Sequence, residues 1–139
     1  MVLKQLSIFV ENRLGTIAEA TGVLAENSIN IRALTTADTA DFGIIRLIVD
    51  NPDAAAEKLR ENSLIVNITN VIAIRLPDKP GSFHSILKLL YEAGIAVEYS
   101  YAFVSRNEGI AYVILRVQDE EAAVAVLSSN QVEFIDKAD

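Results

Sequence analysis

The sequence predicts an α+β fold made of two copies of one βαββαβ unit, each with an antiparallel sheet. Three observations favour it: a repeat along most of the chain, alternation of β-rich segments with segments of helical spacing, and a short join between the copies. The chain has 139 residues, of which 51% are hydrophobic, enough for one ordinary domain or two very small ones. We expect the copies to cover residues 1–69 and 70–139 and to pack as a rigid pair.

The repeat is visible as pairs of similar residues at a nearly constant separation. Gly15 corresponds to Gly81, which lies 66 positions later. Farther along each copy the separation is 68, as between Leu47 and Leu115. We assign the two extra residues of the second copy to Ser105–Gly109, which has the composition of a turn.

The first copy shows strand, helix, strand, strand, helix and strand in order. Thr16 and Asn51 are suited to cap the two helices, and Pro52 fits the first position of the second. Gly22 costs the first helix about 1 kcal/mol relative to alanine, which indicates close helix packing at that position. The predicted elements are strand Val2–Val10 with Leu6, Ile8 and Val10 on one face, a helix from Thr16 with Ile17, Ala20 and Leu24 on its apolar stripe, strands Ile29–Thr36 and Phe42–Val49 around a turn at Asp38–Asp41, a helix after Asn51, and strand Leu64–Ile68.

The second copy repeats this order, which is that of the ferredoxin-like split βαβ fold. Its predicted elements are strand Val71–Leu76, helix Ser82–Ala93, strands Ile95–Val104 and Ile110–Val117, a helix Glu120–Ser128 capped by Asp119, and strand Val132–Ile135. Thr69 and Asn70 join the copies without a segment rich in glycine, serine or proline. This short join is the reason that we expect a rigid pair.

Composition argues against several classes of function. The chain has no cysteine and one histidine, His84, which we interpret as a solvent-facing helix residue. The acidic run 119–121 is typical of a helix start rather than of a metal site. A net charge of −7 disfavours a nucleic-acid partner. No apolar run reaches the roughly 18 residues of a membrane span, and the N-terminus lacks signal-peptide features, so we expect a cytoplasmic protein without a membrane partner. We expect no cofactor, no metal and no catalytic residues.

The residues best suited to bind a ligand lie in the loop before the first helix of each copy. A glycine there permits a positive φ and leaves the first N–H groups of the helix facing outward, which suits a carboxylate. Three residues earlier, Asn12 or Asp78 can accept hydrogen bonds from an ammonium group. The two features together match the charged ends of a free amino acid. The alternative is a plain strand-to-helix turn capped by Thr16 or Ser82.

These loops resemble those of the ACT family, and the resemblance covers almost the whole chain. It rests on Asp78-Lys79-Pro80-Gly81-Ser82-Phe83, on Leu14-Gly15-Thr16-Ile17, and on the segments Asn27–Ile31 and Ala93–Val97 that follow the helices. Residues 98–103 further resemble the small stand-alone proteins made of two tandem ACT domains. The family implies βαββαβ units that bind amino acids at interfaces between two units, usually to regulate an enzyme. It implies these ligand-binding residues: Asp78, Lys79, Pro80, Gly81, Ser82, Phe83, Tyr99 and Tyr101 in the second copy, and Asn12, Leu14, Gly15 and Thr16 in the first.

The two copies differ at positions that bear on this site. The first has Asn12-Arg13-Leu14 where the second has Asp78-Lys79-Pro80, the common pattern of the family, so the first site is the one expected to be altered or empty. Ala33, Thr35 and Ala37 of the first copy correspond to three aromatic residues of the second, Tyr99, Tyr101 and Phe103. The aromatic stripe is either ordinary core packing or a wall of the ligand pocket with a hydroxyl as polar handle.

The sequence therefore predicts a non-catalytic regulatory module that binds a free amino acid, with the second loop as the main site. We also expect a homodimer, because the composition is apolar and the sheets need cover for their edges, and a separate metabolic enzyme as a candidate partner. Two alternatives stay open: a ligand-free protein-interaction module that regulates a separate enzyme, and, third in order, a small enzyme.

Overall fold

The chain forms two compact units, which a computed structural model describes over residues 2–38, 41–103 and 107–136. The first repeat comprises residues 4–69, and the second comprises residues 70–136 together with residues 2–3. Each has the order βαββαβ with an antiparallel sheet, so the predicted α+β fold of two ferredoxin-like units is confirmed.

The helices and strands recur at the separations that the sequence repeat requires. α1 and α3 begin at Thr16 and Ser82, and α2 and α4 begin at Pro52 and Glu120, which keeps the shifts of 66 and 68 positions. The elements are β1 (Val2–Glu11), α1 (Thr16–Glu26), β2 (Ile31–Asp38), β3 (Phe42–Val49), α2 (Pro52–Glu61), β4 (Ile65–Pro77), α3 (Ser82–Glu92), β5 (Val97–Phe103), β6 (Ile110–Val117), α4 (Glu120–Ser129) and β7 (Glu133–Phe134).

The sheet of each repeat follows the ferredoxin-like strand order. In the first repeat the order is β2-β3-β1-β4, and in the second it is β5-β6-β4-β7. β4 is one continuous strand that serves both repeats, whereas the sequence predicted two separate strands, Leu64–Ile68 and Val71–Leu76.

The apolar face of each sheet packs against its two helices to form a core. On β1, Leu6, Ile8 and Val10 are buried on one face, as predicted, and Leu6 lies opposite Leu47 of β3. The principal core residues are Leu6, Ile8, Leu24, Ile45, Leu47 and Leu59 in the first repeat, and Ile72, Ile74, Leu90, Val113, Leu115 and Leu127 in the second. Equivalent residues therefore form the two cores.

Two expectations about α1 are wrong. Its buried residues are Thr16, Ala20, Val23 and Leu24, whereas Ile17 is 44% exposed because it lies at the edge of this face. The Gly22 position is not closely packed either, since a Cβ added there would meet no heavy atom within 4 Å. The glycine has no packing reason in this structure.

Two of the four predicted strands that follow a helix begin one residue too early, and the strands after α1 and α3 begin two residues too early. Each helix closes with a residue of positive φ, and the next amide donates to a carbonyl five residues back, as Ile29 does to Leu24 at 2.9 Å. This closure uses the amides of Ile29, Leu64, Ile95 and Val132, the residues at which those strands were predicted to begin. The strands after α1 and α3 begin two residues after this closing amide, at Ile31 and Val97. Parts of the predicted turns Asp38–Asp41 and Ser105–Gly109, and Val104, lie outside the described residues.

Candidate ligand-binding site

The first helix of each repeat begins after a glycine in the left-handed conformation. Gly15 has φ 88° and Gly81 has φ 89°, and both occupy the N-cap position. A Cβ added at either would meet nothing within 4 Å, so the backbone conformation rather than crowding favours glycine. The helix start is consequently open on the side that a Cβ would occupy.

Neither of these helices has a side-chain cap, in contrast to the second helix of each repeat. The side chains of Asn51 and Asp119 accept hydrogen bonds from the amides of Ala54 and Ala122, which confirms the two predicted caps of α2 and α4. The amides of Thr16 and Ser82 donate to the loop carbonyls of Arg13 and Lys79, and no side chain accepts from the amides that follow them in α1 and α3. These following amides can therefore donate to a ligand carboxylate.

Thr16 and Ser82 do not cap their helices, so the capping role considered for them is wrong. Both lie inside the helix, one position after the glycine. The Thr16 hydroxyl donates to the carbonyl oxygen of Arg13 at 3.2 Å and is buried. The loop, rather than the helix start, receives this hydrogen bond.

The loop of the second repeat is held by backbone hydrogen bonds, which leaves its side chains exposed. The amide of Asp78 donates to the carbonyl of Gly109 at 2.9 Å, and the amide of Lys79 donates to Pro77 at 3.0 Å. The side chains of Asp78, Lys79 and Pro80 are exposed. A fixed backbone with exposed polar side chains is suited to binding, because little loop order has to be gained.

A cavity of about 650 Å³ lies beside this loop, within the range of small-molecule sites. Its walls come from the end of β4, the first turns of α3, the start of β6 and the turn before β7. Of the residues predicted for the site, Ser82 lines the cavity. The apolar lining residues are Leu76, Pro77, Ile86, Ile110 and Val132, and the charged ones are Arg75 and Glu133.

The predicted aromatic residues do not line this cavity. Tyr99 and Tyr101 alternate along β5 with exposed residues and share a face with Phe103, as the strand period requires. Phe103 is buried, and its ring lies 4.9 Å from that of Tyr112 on β6. Phe83, in the first turn of α3, is also absent from the lining. Of these predicted residues, Ser82 lines the cavity, whereas Phe83, Tyr99 and Tyr101 do not.

The loop of the first repeat borders a smaller cavity of about 160 Å³. Asn12 and Thr16 line it, and the Asn12 side-chain amide donates to Asp38 at 2.8 Å. Leu14 is fully exposed in the loop. The Asn12 side chain is thus already engaged with a carboxylate.

Sequence reasoning missed Arg75, Glu133 and Val132 of the larger cavity. Arg75 pairs with Glu133 in the register of β4 and β7, with 3.6 Å between Nε and Oε2. One signal was present, since Arg75 is the only charged residue in the apolar segment Val71–Leu76. Its partner depends on a strand register that no local motif specifies.

The remaining polar residues singled out in the sequence have structural surroundings. His84 is exposed on α3, as predicted. Glu120 pairs with Arg116 at 2.7 Å, and within residues 2–38, 41–103 and 107–136 no group of three or more acidic or histidine side chains could hold a metal ion. Among those same residues, no helix is long and apolar enough to cross a membrane.

Comparison with known proteins shows which family and which solved structures this architecture matches. The chain matches the family model of the ACT domain pair over residues 1–139. Among solved structures, protein BT0572 from Bacteroides thetaiotaomicron is 42% identical, with a TM-score of 0.91 over 97% of this chain and 92% of that chain. The regulatory subunits of aspartate kinase from Thermus thermophilus, in its ligand-free form, and from Thermus flavus are 15% and 14% identical; each has a TM-score of 0.62 over 91% of this chain and 90% of its own, a likeness of fold. No protein with a curated description matches the chain.

Two βαββαβ units, each with an uncapped helix start after a left-handed glycine, define a tandem protein of the ferredoxin-like class. The chain belongs to the ACT family, as a pair of ACT domains. The resemblance found in the sequence is confirmed.

Proposed function

We propose that the chain is a non-catalytic regulatory module that binds a free α-amino acid at the start of α3. One observation carries this proposal: the amides of α3 lack a side-chain cap and open beside a cavity of about 650 Å³. If the loop were only a strand-to-helix turn, neither the missing side-chain cap nor the adjoining cavity would be explained. Membership of the ACT family supports the same conclusion.

The two ends of the loop supply opposite polarity for the two ends of the ligand. The α-carboxylate accepts hydrogen bonds from the first amides of α3, where the helix dipole favours negative charge. The exposed carboxylate of Asp78 accepts from the α-ammonium group, and such charge-assisted bonds are about twice as strong as neutral ones. Pro80 restricts the loop before Gly81, which lowers the entropy lost on binding.

The predicted aromatic residues and Lys79 are proposed to contact a second copy of the chain. Because ligands of this family are implied to bind between two units, we assign Lys79, Phe83, Tyr99 and Tyr101 to contacts across a homodimer interface. Large exposed apolar residues such as Tyr91, at 79%, support self-association. Analytical ultracentrifugation at micromolar concentration tests this, and a mass near that of one chain would count against the dimer.

A thermal-shift screen over the free amino acids tests the proposed function. A ligand at about 100 times its Kd stabilises the protein by roughly 2.7 kcal/mol, which raises the melting temperature measurably. The variant Asp78→Ala should weaken binding by about 1.5–3 kcal/mol, while the matched variant Asn12→Ala should leave it nearly unchanged. A screen in which no amino acid raises the melting temperature would contradict the proposal.

One observation favours a second candidate function, a protein-interaction module without a ligand. Leu14 is fully exposed in the first loop, and Phe42, at the start of β3, is 59% exposed. Exposed apolar side chains around a loop whose Asn12 side chain already donates to Asp38 are suited to contact with another protein. A separate metabolic enzyme is the proposed partner, since proteins with this fold include regulatory subunits of aspartate kinase.

A further inference from the structure

The residues that line the cavity beside α3 indicate which class of ligand side chain the cavity accommodates. We infer that this cavity selects neutral aliphatic α-amino acids over charged ones. The inference rests on the proposed function, because it specifies the ligand class of the same site.

The first observation is the apolar surface of the cavity. Leu76 and Ile86 are each 5% exposed and belong to the core of the second repeat, and Val132 packs against that core. With Pro77 and Ile110 they give the cavity five apolar lining residues. An aliphatic side chain placed against them leaves water, which strengthens binding about fourfold for each methylene buried.

The second observation is the cancellation of charge in the lining. Arg75 and Glu133 are the charged residues of this lining, and they lie opposite each other on β4 and β7 with 3.6 Å between Nε and Oε2. A charged ligand side chain would meet no unpaired counter-ion there. It would also lose hydration against apolar walls, which is unfavourable for a charge.

The third observation concerns the polar groups in the first turn of α3. The Ser85 hydroxyl donates to the carbonyl oxygen of Gly81 at 3.0 Å, so its proton is already used within the helix start. Ser82 lies at the open end of the helix, where the proposed carboxylate binds. These hydroxyls are therefore assigned to the helix start and to the backbone groups of the ligand, which leaves Gln131 as the uncharged polar side chain of the lining that faces the ligand's side chain.

A homologous series of neutral ligands tests the inference directly. We expect the calorimetric affinity to rise about fourfold per step from L-alanine to L-2-aminobutyrate to L-norvaline. L-norvaline should also bind more tightly than L-glutamate and L-lysine. A flat or falling series, or a charged amino acid as the tightest ligand, overturns the inference and leaves the proposed function standing.

Two reciprocal variants test the role of the ion pair. Arg75→Gln leaves Glu133 unpaired, so the affinity for L-lysine should rise about 1.5- to 5-fold, the strength of an exposed ion pair. Glu133→Gln should raise the affinity for L-glutamate by a similar factor. Neither variant should change the affinity for L-norvaline more than twofold. The matched control is Lys88→Gln, which breaks an ion pair with Glu92 outside the cavity lining and should change none of these affinities.

The outcomes distinguish failure of the inferred ligand class from failure of the proposed amino-acid binding. If both variants leave the affinities for L-lysine and L-glutamate unchanged while the neutral series behaves as expected, the ion pair has no part in selection and the charge argument is overturned. If no amino acid binds to the wild-type chain at millimolar concentration, the inference and the proposed function fail together.

Discussion

Two glycine-to-alanine substitutions in this chain should change stability in opposite directions. Gly22 lies inside α1 without a positive φ, and Gly81 precedes α3 with φ 89°. A Cβ added at either position would meet no heavy atom within 4 Å. Steric contact is therefore the same in both, and the difference in stability reports backbone conformation alone.

The expected magnitudes follow from the two conformations. Glycine in a helix interior is about 0.8–1.0 kcal/mol less favourable than alanine, so Gly22→Ala should stabilise the protein by about 1 kcal/mol. An L-residue in the left-handed region costs about 1–2 kcal/mol, so Gly81→Ala should destabilise it by that amount. The two variants should differ by about 2–3 kcal/mol in the free energy of unfolding.

Urea unfolding followed by far-ultraviolet circular dichroism measures both changes. With a denaturant slope of about 2 kcal/mol per molar, Gly22→Ala should raise the midpoint by about 0.5 M and Gly81→Ala should lower it by about 0.5–1 M. A destabilised Gly22→Ala variant would refute the reasoning, because it would mean that a neighbouring group packs against this position. An unchanged midpoint for Gly81→Ala would mean that the left-handed conformation is not required.

Three further substitutions test the local structure, each by the same urea measurement. Asp119→Ala removes the acceptor of the Ala122 amide and should cost about 0.5–2 kcal/mol, whereas an unchanged midpoint would mean that the cap contributes nothing. Leu90→Ala removes a fully buried side chain from the second core and should cost about 2–5 kcal/mol; a loss under 1 kcal/mol would contradict that packing. Ser63→Gly relieves a φ of 64° after α2 and should stabilise the protein by about 1 kcal/mol, and a loss of stability would count against the observed helix end.

Features that depend on local spacing could be predicted from the sequence. Asn51 and Asp119 were identified as caps because a short polar side chain just before a helical pattern is suited to that role. The two βαββαβ units followed from the repeat, since similar residues at a constant separation form equivalent cores. The shared face of Tyr99 and Tyr101 followed from the strand period.

Features that depend on tertiary structure could not be predicted in this way. The pairing of Arg75 with Glu133 requires the register of β4 with β7, two strands far apart in the sequence. The hydrogen bond that closes each helix uses the first amide of the segment that was predicted as the next strand, as at Ile29. Composition does not show which residue adopts the positive φ before that amide. Whether the two repeats pack as a rigid pair, with a boundary at 69/70, stays a prediction.

The assignment of the site to the second repeat is the central claim, and a paired titration tests it most directly. Gly81→Val and Gly15→Val place the same side chain at equivalent left-handed positions before α3 and α1. Each variant, once its folding is verified by circular dichroism, is titrated calorimetrically with the amino acid that stabilises the wild-type protein most. Gly81→Val should abolish binding, because it strains the turn and covers the amides of the helix start, while Gly15→Val should retain most of the affinity. Loss of binding in Gly15→Val with intact binding in Gly81→Val would contradict the account and assign the site to the first repeat.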